Sequence, residues 1–262
     1  MSQAPVPAAW VALAHEMADT ARAIVLRHYR AGLHVEMKSD ASPVTAADRE
    51  VETAVRGLIH DRLPDHGVIG EEHGAERADA EHVWVIDPID GTKAFILGIP
   101  VFGILVALTR RGAPILGVID QPVTGERWVG GVGWPTELGG RRVHVRECAS
   151  IGAAALCSTS TEMFTAEEGA RFERLRADAS VTRFGTDCYG YGVLATGLCD
   201  LVVESDLALH DYLAPAAVVE AAGGICTDWE GRPLTIGLGA HRVLAAGDRR
   251  LHDYARRVLS GA

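Results

Sequence analysis

The sequence lacks the cysteine patterns that mark disulfide-stapled and zinc-binding proteins. Its five cysteines are an odd number and include no C-x-x-C pair. Cys157 and Cys226 stand among apolar neighbours, which is typical of small buried thiols in a reducing compartment. We therefore expect free cysteines and a cytoplasmic protein.

Clustered positive charge and a long apolar run are also missing. Asp and Glu outnumber Lys and Arg by 35 to 25, which gives a formal net charge of -10. A nucleic-acid-binding surface instead needs basic side chains that neutralise phosphates. Near the N-terminus, His15, Glu16 and Asp19 interrupt the apolar positions, so we expect neither a signal peptide nor a membrane span. Nucleic acid and membranes are therefore not expected partners.

Two common phosphate and metal motifs are absent. The sequence contains no G-x-x-x-x-G-K-[ST] segment, and its eleven histidines form no H-E-x-x-H pattern. Residues 130–142 are rich in glycine, but Pro135 stands where a dinucleotide-binding helix would begin, so a turn-forming connection is predicted there. His210 is expected to pack against, or hydrogen-bond to, a neighbour such as Asp211. Polar surroundings predict surface positions for His60, His66, His73 and His82.

The rest of the composition describes an ordinary globular chain. Of its 262 residues, 48% are hydrophobic and 23% are charged, which allows a substantial core. Apolar residues recur at helical spacing over residues 10–25, and Thr45-x-x-Asp48 has the form of a helix start. One helix is therefore predicted on each side of residue 40.

Beyond these helices the pattern changes to strands, and after about residue 150 strands and helices alternate. Alternation indicates a mixed or parallel sheet covered by helices. We predict an α/β (α+β) protein with two lobes, residues 1–147 and 148–262. The predicted strands are 68–69, 83–86, 101–108, 115–119, 127–129, 154–158 and 201–204, and the predicted helices of the second lobe are 166–177, 187–196 and 211–222.

Two aspartates at the end of a strongly apolar run are the most informative feature. Residues 83–95 read VWVIDPIDGTKAF, so that Asp87 directly follows four apolar residues and Asp90 comes three positions later. Burying two carboxylates is costly unless a cation lies between them. Such oxygen ligands suit Mg²⁺, which binds a few carboxylates together with water and substrate phosphate. The intervening proline fixes the backbone and allows the carbonyl of Ile89 to turn toward the same ion.

Further acidic positions and a glycine extend this pattern. Glu71 follows another short apolar run, and Asp211 opens a predicted helix. Gly91 precedes a predicted helix start at Thr92, and the backbone N–H groups of such a start commonly hold phosphate. The sequence therefore indicates metal-assisted phosphate chemistry, and it lacks the D-x-D motif of aspartyl-phosphate enzymes at this position.

These segments, Gly70-Glu71-Glu72, DPIDGT at 87–92 and the late Asp211 before AAVVEAAGG, resemble the inositol monophosphatase superfamily of Mg²⁺-dependent, lithium-sensitive phosphatases. The resemblance extends from about Ser39 to Trp229. It implies a layered α-β-α-β-α sandwich of the inositol monophosphatase/fructose-1,6-bisphosphatase type. It also implies two or three Mg²⁺ ions in each active site, a small phosphate ester as substrate, and a homodimer.

The resemblance implies a metal role for five residues. One Mg²⁺ would be held by Glu71, Asp87 and the carbonyl of Ile89. A second would be held by Asp87, Asp90 and Asp211. Two divalent ions at such a site can stabilise the attacking and leaving oxygens of an in-line displacement.

Catalytic and phosphate-binding roles are implied in the same way. Asp48 would work with Thr92 to orient or deprotonate the attacking water, and Glu71 would contribute to catalysis as well as to metal binding. The amides of Gly91 and Thr92 would bind the phosphate group.

Within the superfamily, the stretches DGTKAF, GVIDQPVTGERWVG and TDCYGYGVLATGLCDLVVES are most similar to histidinol-phosphate phosphatases of the inositol-monophosphatase type. Typical inositol monophosphatases have a small residue in place of Asp187. Asp187, expected at the start of a helix, and Glu204 would face the organic part of the ester. Inositol-1-phosphate and a nucleotide 3'-phosphate are the alternative substrates. The alternative to an enzyme is a non-catalytic phosphate-binding regulatory protein.

Overall fold

The computed structural model describes residues 4–31, 35–37, 43–239 and 242–261. In these ranges the chain forms two large sheets, one small two-stranded sheet and seven α-helices. The helices are α1 (Ala8–His28), α2 (Ala46–Arg62), α3 (Thr92–Leu97), α4 (Ala166–Asp178), α5 (Tyr189–Ala195), α6 (Leu209–Ala221) and α7 (Arg249–Ser260). The small sheet pairs β1 (Val35–Met37) with β2 (Pro43–Thr45) in antiparallel fashion.

The first large sheet has eight strands in the order β10-β9-β8-β7-β6-β5-β3-β4. Neighbouring strands are antiparallel except for β3 and β5, which run parallel. The strands are β3 (Gly67–Gly70), β4 (Gly74–Glu76), β5 (His82–Asp90), β6 (Gly103–Arg110), β7 (Ala113–Asp120), β8 (Arg127–Gly131), β9 (Trp134–Leu138) and β10 (Arg141–Arg142).

The second large sheet has five strands in the order β12-β11-β13-β15-β14. It is mixed, as predicted, because β11 is parallel to both neighbours while β13, β15 and β14 pair antiparallel. The strands are β11 (Ala155–Ser158), β12 (Val181–Phe184), β13 (Leu201–Glu204), β14 (Ile225–Thr227) and β15 (Val243–Ala246).

Strand β5 is apolar along its length because both faces of its sheet are covered. Trp84 and Ile86 pack into a core with α1 and α2, whereas Val83 and Val85 face the opposite core with α5 and α6. The second sheet shares this inner core and packs its other face on α4 and α7. The layers therefore run helix, sheet, helix, sheet, helix, and the predicted α-β-α-β-α sandwich is confirmed.

The two large sheets lie on either side of residue 147, but α6 contacts strands of both. A division of the chain into lobes 1–147 and 148–262 therefore stays a prediction. Across the described residues, no helix is both long enough and apolar enough to cross a membrane. All five cysteines are free, as predicted, and four of them are buried.

Several local predictions were wrong, and among them β6 begins and ends two residues later than predicted while α6 begins two residues earlier. The glycine-rich residues 130–142 contain β9 and β10, because Gly139 and Gly140 adopt positive φ and turn the chain into a hairpin. Helix α5 begins two residues later than predicted, since Asp187 has a φ of 44° and cannot be helical there. His66 is buried rather than at the surface, because its Nδ1 accepts a hydrogen bond from the Trp84 indole at 3.1 Å.

Candidate active site

The parallel pairing of β3 and β5 brings the first two candidate ligands together. Gly70 pairs with Ile86 in register, so Glu71 and Asp87 continue from neighbouring strands at the same edge of the sheet. Past Asp87 the pairing with β6 becomes irregular, and Asp87 Oδ1 accepts the Ile89 backbone N–H at 3.0 Å. This bend allows a second carboxylate, that of Asp90, to face the same space.

Helix α6 supplies the remaining acidic ligand from the second half of the chain. Asp211 is its third residue and accepts the backbone N–H of Ala208 at 2.7 Å. Carboxylate oxygens of Asp87, Asp90 and Asp211 all lie within 4.8 Å of one another. The structure therefore brings together the three residues that were predicted to hold the second metal.

Two members of the first predicted metal group, Glu71 and Asp87, also come together, with His210 beside them, whereas the role of the Ile89 carbonyl stays a prediction. Side-chain ligand atoms of Glu71, Asp87 and His210 lie within 4.8 Å of one another. His210 was expected only to pack or hydrogen-bond, and its Nε2 lies 3.5 Å from Asp211 Oδ1. Its position next to Asp211 in the sequence was the available signal, but a neighbour in sequence does not fix the direction of an imidazole ring.

The electrostatics of this cluster favour a bound cation. Burial raises the pKa of Asp87 well above its usual value, and the charges of Glu71 and Asp90 raise it further. Burial likewise raises the pKa of Asp90, and the negative charges of Asp187 and Asp211 raise it further. Converging carboxylate oxygens repel one another when ionised, and a hard divalent cation relieves this repulsion. The donor set therefore suits a hard divalent cation.

The turn after β5 holds the predicted phosphate-binding residues. Gly91 has a φ of 78° and directly precedes α3, which begins at Thr92. The Thr92 hydroxyl donates to the carbonyl of Ile89 at 3.0 Å. A Cβ atom at position 91 would lie 3.0 Å from Cγ of Asp187. The backbone conformation and the approach of Asp187 therefore both favour glycine at this position.

Asp48 is buried in the first turn of α2, where it completes the predicted capping box. Its Oδ2 accepts the Thr45 backbone N–H at 2.8 Å and the Thr45 hydroxyl at 2.6 Å. Burial raises the pKa of Asp48 to about 6 against these hydrogen bonds, and Glu72 and Glu71 add to the rise. Among the described residues, no hydrogen bond joins Asp48 to Thr92, so their joint action on a water stays a prediction.

The two predicted substrate residues come from the second half of the chain, Asp187 from the loop before α5 and Glu204 from a strand of the second sheet. Burial raises the pKa of Asp187 to about 6, although the positive charge of Lys93 opposes the rise. Glu204 ends β13 and is 3% exposed. Burial raises its pKa to about 7 against hydrogen bonds from Thr159 and Tyr191, and the charges of Asp187 and Asp211 also raise it.

Comparison with known proteins shows similarity to the inositol monophosphatase family and to phosphatases. A sequence profile described as the inositol monophosphatase family matches residues 7–260. The histidinol-phosphatase of Streptomyces coelicolor is 35% identical over 260 residues, covering 92% of this chain and 93% of that protein. The chloroplastic bifunctional phosphatase IMPL2 of Arabidopsis thaliana is 41% identical over 258 residues, covering 95% of this chain and 75% of that protein.

A solved structure has the same fold. An inositol monophosphatase from Zymomonas mobilis superposes with a TM-score of 0.88 at 43% sequence identity. The alignment covers 95% of this chain and 97% of that one. Similarity therefore extends over nearly the whole chain.

Proposed function

This chain belongs to the inositol monophosphatase family, and we propose that it is a magnesium-dependent phosphatase that hydrolyses L-histidinol phosphate to L-histidinol and inorganic phosphate. Phosphatase activity follows from the family. The substrate and the metal are inferred from the carboxylates of the site and from the relatives named histidinol-phosphatase, which are 35–36% identical to this chain.

The position of Asp187 carries the substrate proposal. Its carboxylate lies against Gly91, where the phosphate would bind, yet it belongs to neither candidate metal group. L-histidinol phosphate has an ammonium group one carbon from the ester methylene, and its imidazole can also be protonated. A carboxylate that holds no metal suits such a cation, because a charge-assisted hydrogen bond is stronger than a neutral one. Glu204, which interacts electrostatically with Asp187, would add a second acidic group near the same space.

The metal groups define the chemistry proposed for the reaction. Glu71, Asp87 and the Ile89 carbonyl would hold one Mg²⁺, and Asp87, Asp90 and Asp211 a second. Mg²⁺ bound there would lower the pKa of a water molecule and neutralise charge on the phosphate ester. No protein nucleophile is then required.

The chain itself would position the reactants. Asp48 and Thr92 would orient the water and the Asp48 carboxylate would accept its proton, while the amides of Gly91 and Thr92 would hold the phosphate. A bond would form between the water oxygen and phosphorus, the ester P–O bond would break, and the leaving oxygen of histidinol would take a proton from a solvent water molecule.

Inositol-1-phosphate is a second candidate substrate. The solved structure that is 43% identical is titled an inositol monophosphatase, and one relative is named a bifunctional phosphatase. Inositol offers only neutral hydroxyl groups to the region of Asp187, so this carboxylate favours histidinol phosphate. A nucleotide 3'-phosphate has no comparable cation beside its ester.

Phosphate release from a panel of esters tests the proposal. The panel contains L-histidinol phosphate, inositol-1-phosphate, a nucleoside 3'-phosphate and glycerol 2-phosphate, each assayed with Mg²⁺ and with a chelator. We expect Mg²⁺-dependent release that is fastest for L-histidinol phosphate and that is inhibited by Li⁺. A preference for inositol-1-phosphate would refute the substrate, and a lack of release from every ester would favour a non-catalytic phosphate-binding protein.

We also propose that the chain forms a homodimer, as the family resemblance implies. Light scattering coupled to gel filtration measures the mass in solution. A mass of about twice 27.9 kDa supports the proposal, and the mass of one chain refutes it.

A further inference from the structure

One buried carboxylate near the candidate metal site belongs to neither metal group. Glu52 lies on α2, one turn after Asp48, and is 0% exposed. Its side chain ends against the turn that leaves β3 and carries Glu71. Glu52 Oε2 accepts the backbone N–H of Glu72 at 2.7 Å, and its Oε1 accepts that of His73 at 3.1 Å.

Arg56 extends this contact along the same turn. Its Nε donates to Glu52 Oε1 at 2.8 Å, and its Nη2 donates to the carbonyl of Gly74. The pair therefore binds backbone groups of three consecutive residues after Glu71. The approach is close, because a Cβ atom at Gly70 would lie 2.0 Å from Glu52 Oε1.

Only a carboxylate matches this set of donors. Both oxygens of Glu52 accept, Oε2 from Glu72 and Oε1 from His73 and Arg56. Glutamine has nearly the same shape, but in either orientation its NH₂ group would face one of these N–H donors. A buried donor left without an acceptor destabilises the surrounding structure.

We propose that Glu52 is a positioning residue for metal binding: it fixes the turn at residues 71–73 so that the Glu71 carboxylate is held in place for the ion. The inference rests on the proposed metal site, in which Glu71 is a ligand. Groups that orient a metal ligand typically change metal affinity by about 10- to 100-fold when they are removed. Glu52 would act only through Glu71 and would not touch the substrate.

Glu52→Gln tests this role through metal affinity. We expect the Mg²⁺ concentration for half-maximal phosphate release to rise about 10- to 100-fold, with kcat at saturating Mg²⁺ within a few-fold of wild type. Titration calorimetry with Mg²⁺ alone should give a matching rise in Kd, which does not depend on turnover.

Two controls separate positioning from general stability. Glu50→Gln changes an exposed carboxylate on the same helix, which pairs with Arg27 and His28, and should leave Mg²⁺ affinity unchanged. Ile59→Ala opens a cavity under α2, where Ile59 is fully buried, and should lower the melting temperature without changing Mg²⁺ affinity. If Glu52→Gln fails to fold, Arg56→Lys removes the planar group that joins Glu52 to Gly74 and should weaken Mg²⁺ binding severalfold.

The outcomes are distinguishable. A Glu52→Gln protein that melts at a lower temperature, like Ile59→Ala, but binds Mg²⁺ with wild-type affinity would overturn the inference and leave Glu52 as a stabilising contact. If Glu52→Gln does not fold and Arg56→Lys does, unchanged Mg²⁺ affinity in Arg56→Lys would also overturn the inference. A wild-type protein that binds no Mg²⁺ would instead refute the proposed metal site, and the inference with it.

Discussion

The backbone N–H of Cys188 donates a hydrogen bond to Oδ2 of Asp90 at 2.7 Å, across 98 positions of the sequence. The bond ties the loop before α5 to the end of β5. Asp187 precedes Cys188 and adopts the left-handed conformation, with a φ of 44°. One loop therefore supports a candidate metal ligand with its backbone and presents a candidate substrate carboxylate with a side chain. A substitution that tests the charge of Asp187 must therefore be a residue that tolerates the left-handed conformation at position 187.

Asp90→Asn is expected to leave the fold intact and to lower kcat by more than about 100-fold, since losing a ligand costs more than losing a group that orients one. The melting temperature without metal should hold or rise, because one buried carboxylate is gone from a repulsive cluster. Circular dichroism and phosphate release measure the two effects. Near-normal kcat at saturating Mg²⁺ would contradict the second metal group.

Thr92→Ala should lower kcat by roughly 100-fold, a typical contribution of a group that positions or activates water. KM should rise much less, because the hydroxyl contributes mainly in the transition state. Steady-state kinetics separate the two constants. A higher KM with unchanged kcat would assign Thr92 to phosphate binding alone.

Glu204→Gln should lower kcat/KM for L-histidinol phosphate and should also lower the melting temperature. Glu204 accepts from the Thr159 backbone N–H at 3.1 Å and from the Tyr191 hydroxyl at 2.8 Å. Glutamine can accept from Thr159 only if its NH₂ group faces Tyr191, whose buried hydroxyl hydrogen then loses its acceptor. Tyr191→Phe, which removes only the hydroxyl, is the control for stability. If both variants lose activity equally on charged and neutral esters, Glu204 supports the fold and does not select the substrate.

His66 is expected to make stability depend on pH below neutrality. Burial, and then the charge of His82, lowers the pKa of His66 from 6.5 to about 4. The unfolded chain therefore binds a proton more readily than the folded one, so the free energy of unfolding falls as the pH drops from 6.5 to about 4. One such proton accounts for at most about 1.4 kcal/mol per pH unit.

His66→Asn keeps an acceptor for the Trp84 indole but does not titrate, so it should flatten this pH dependence. Denaturant titrations at several pH values measure the slope. His60→Gln alters a half-exposed histidine on α2 and should keep the wild-type slope. An equal slope in wild type and His66→Asn would show that other groups cause the dependence.

Local sequence signals predicted the elements whose causes are local. The apolar run at 83–86 became the first half of β5, and Thr45 with Asp48 formed the capping box. The acidic residues of the two metal groups were predicted by the family resemblance, and the parallel end of β3 beside β5 explains why Glu71 and Asp87 lie together.

Of the missed features, the hairpin has a local cause, whereas the burial of His66 and the role of Glu52 depend on contacts between distant segments. The hairpin of β9 and β10 depends on positive φ at two glycines, and the burial of His66 depends on Trp84 and His82 from another strand. In the sequence Glu52 looks like an ordinary polar helix residue, and its role depends on contacts with the turn between β3 and β4. Its only sequence signal is a charge one turn after Asp48, next to the apolar positions of α2.

The most direct test of the account is kcat/KM of Asp187→Asn on L-histidinol phosphate and on glycerol 2-phosphate. Asparagine tolerates the left-handed backbone and removes only the charge. A lost charge-assisted hydrogen bond of roughly 1.5–3 kcal/mol corresponds to a fall of about 10- to 100-fold on L-histidinol phosphate. Glycerol 2-phosphate, which has no cation, should react as fast as with wild type. Equal losses on both esters, or no loss on either, would contradict the proposal that this carboxylate selects histidinol phosphate.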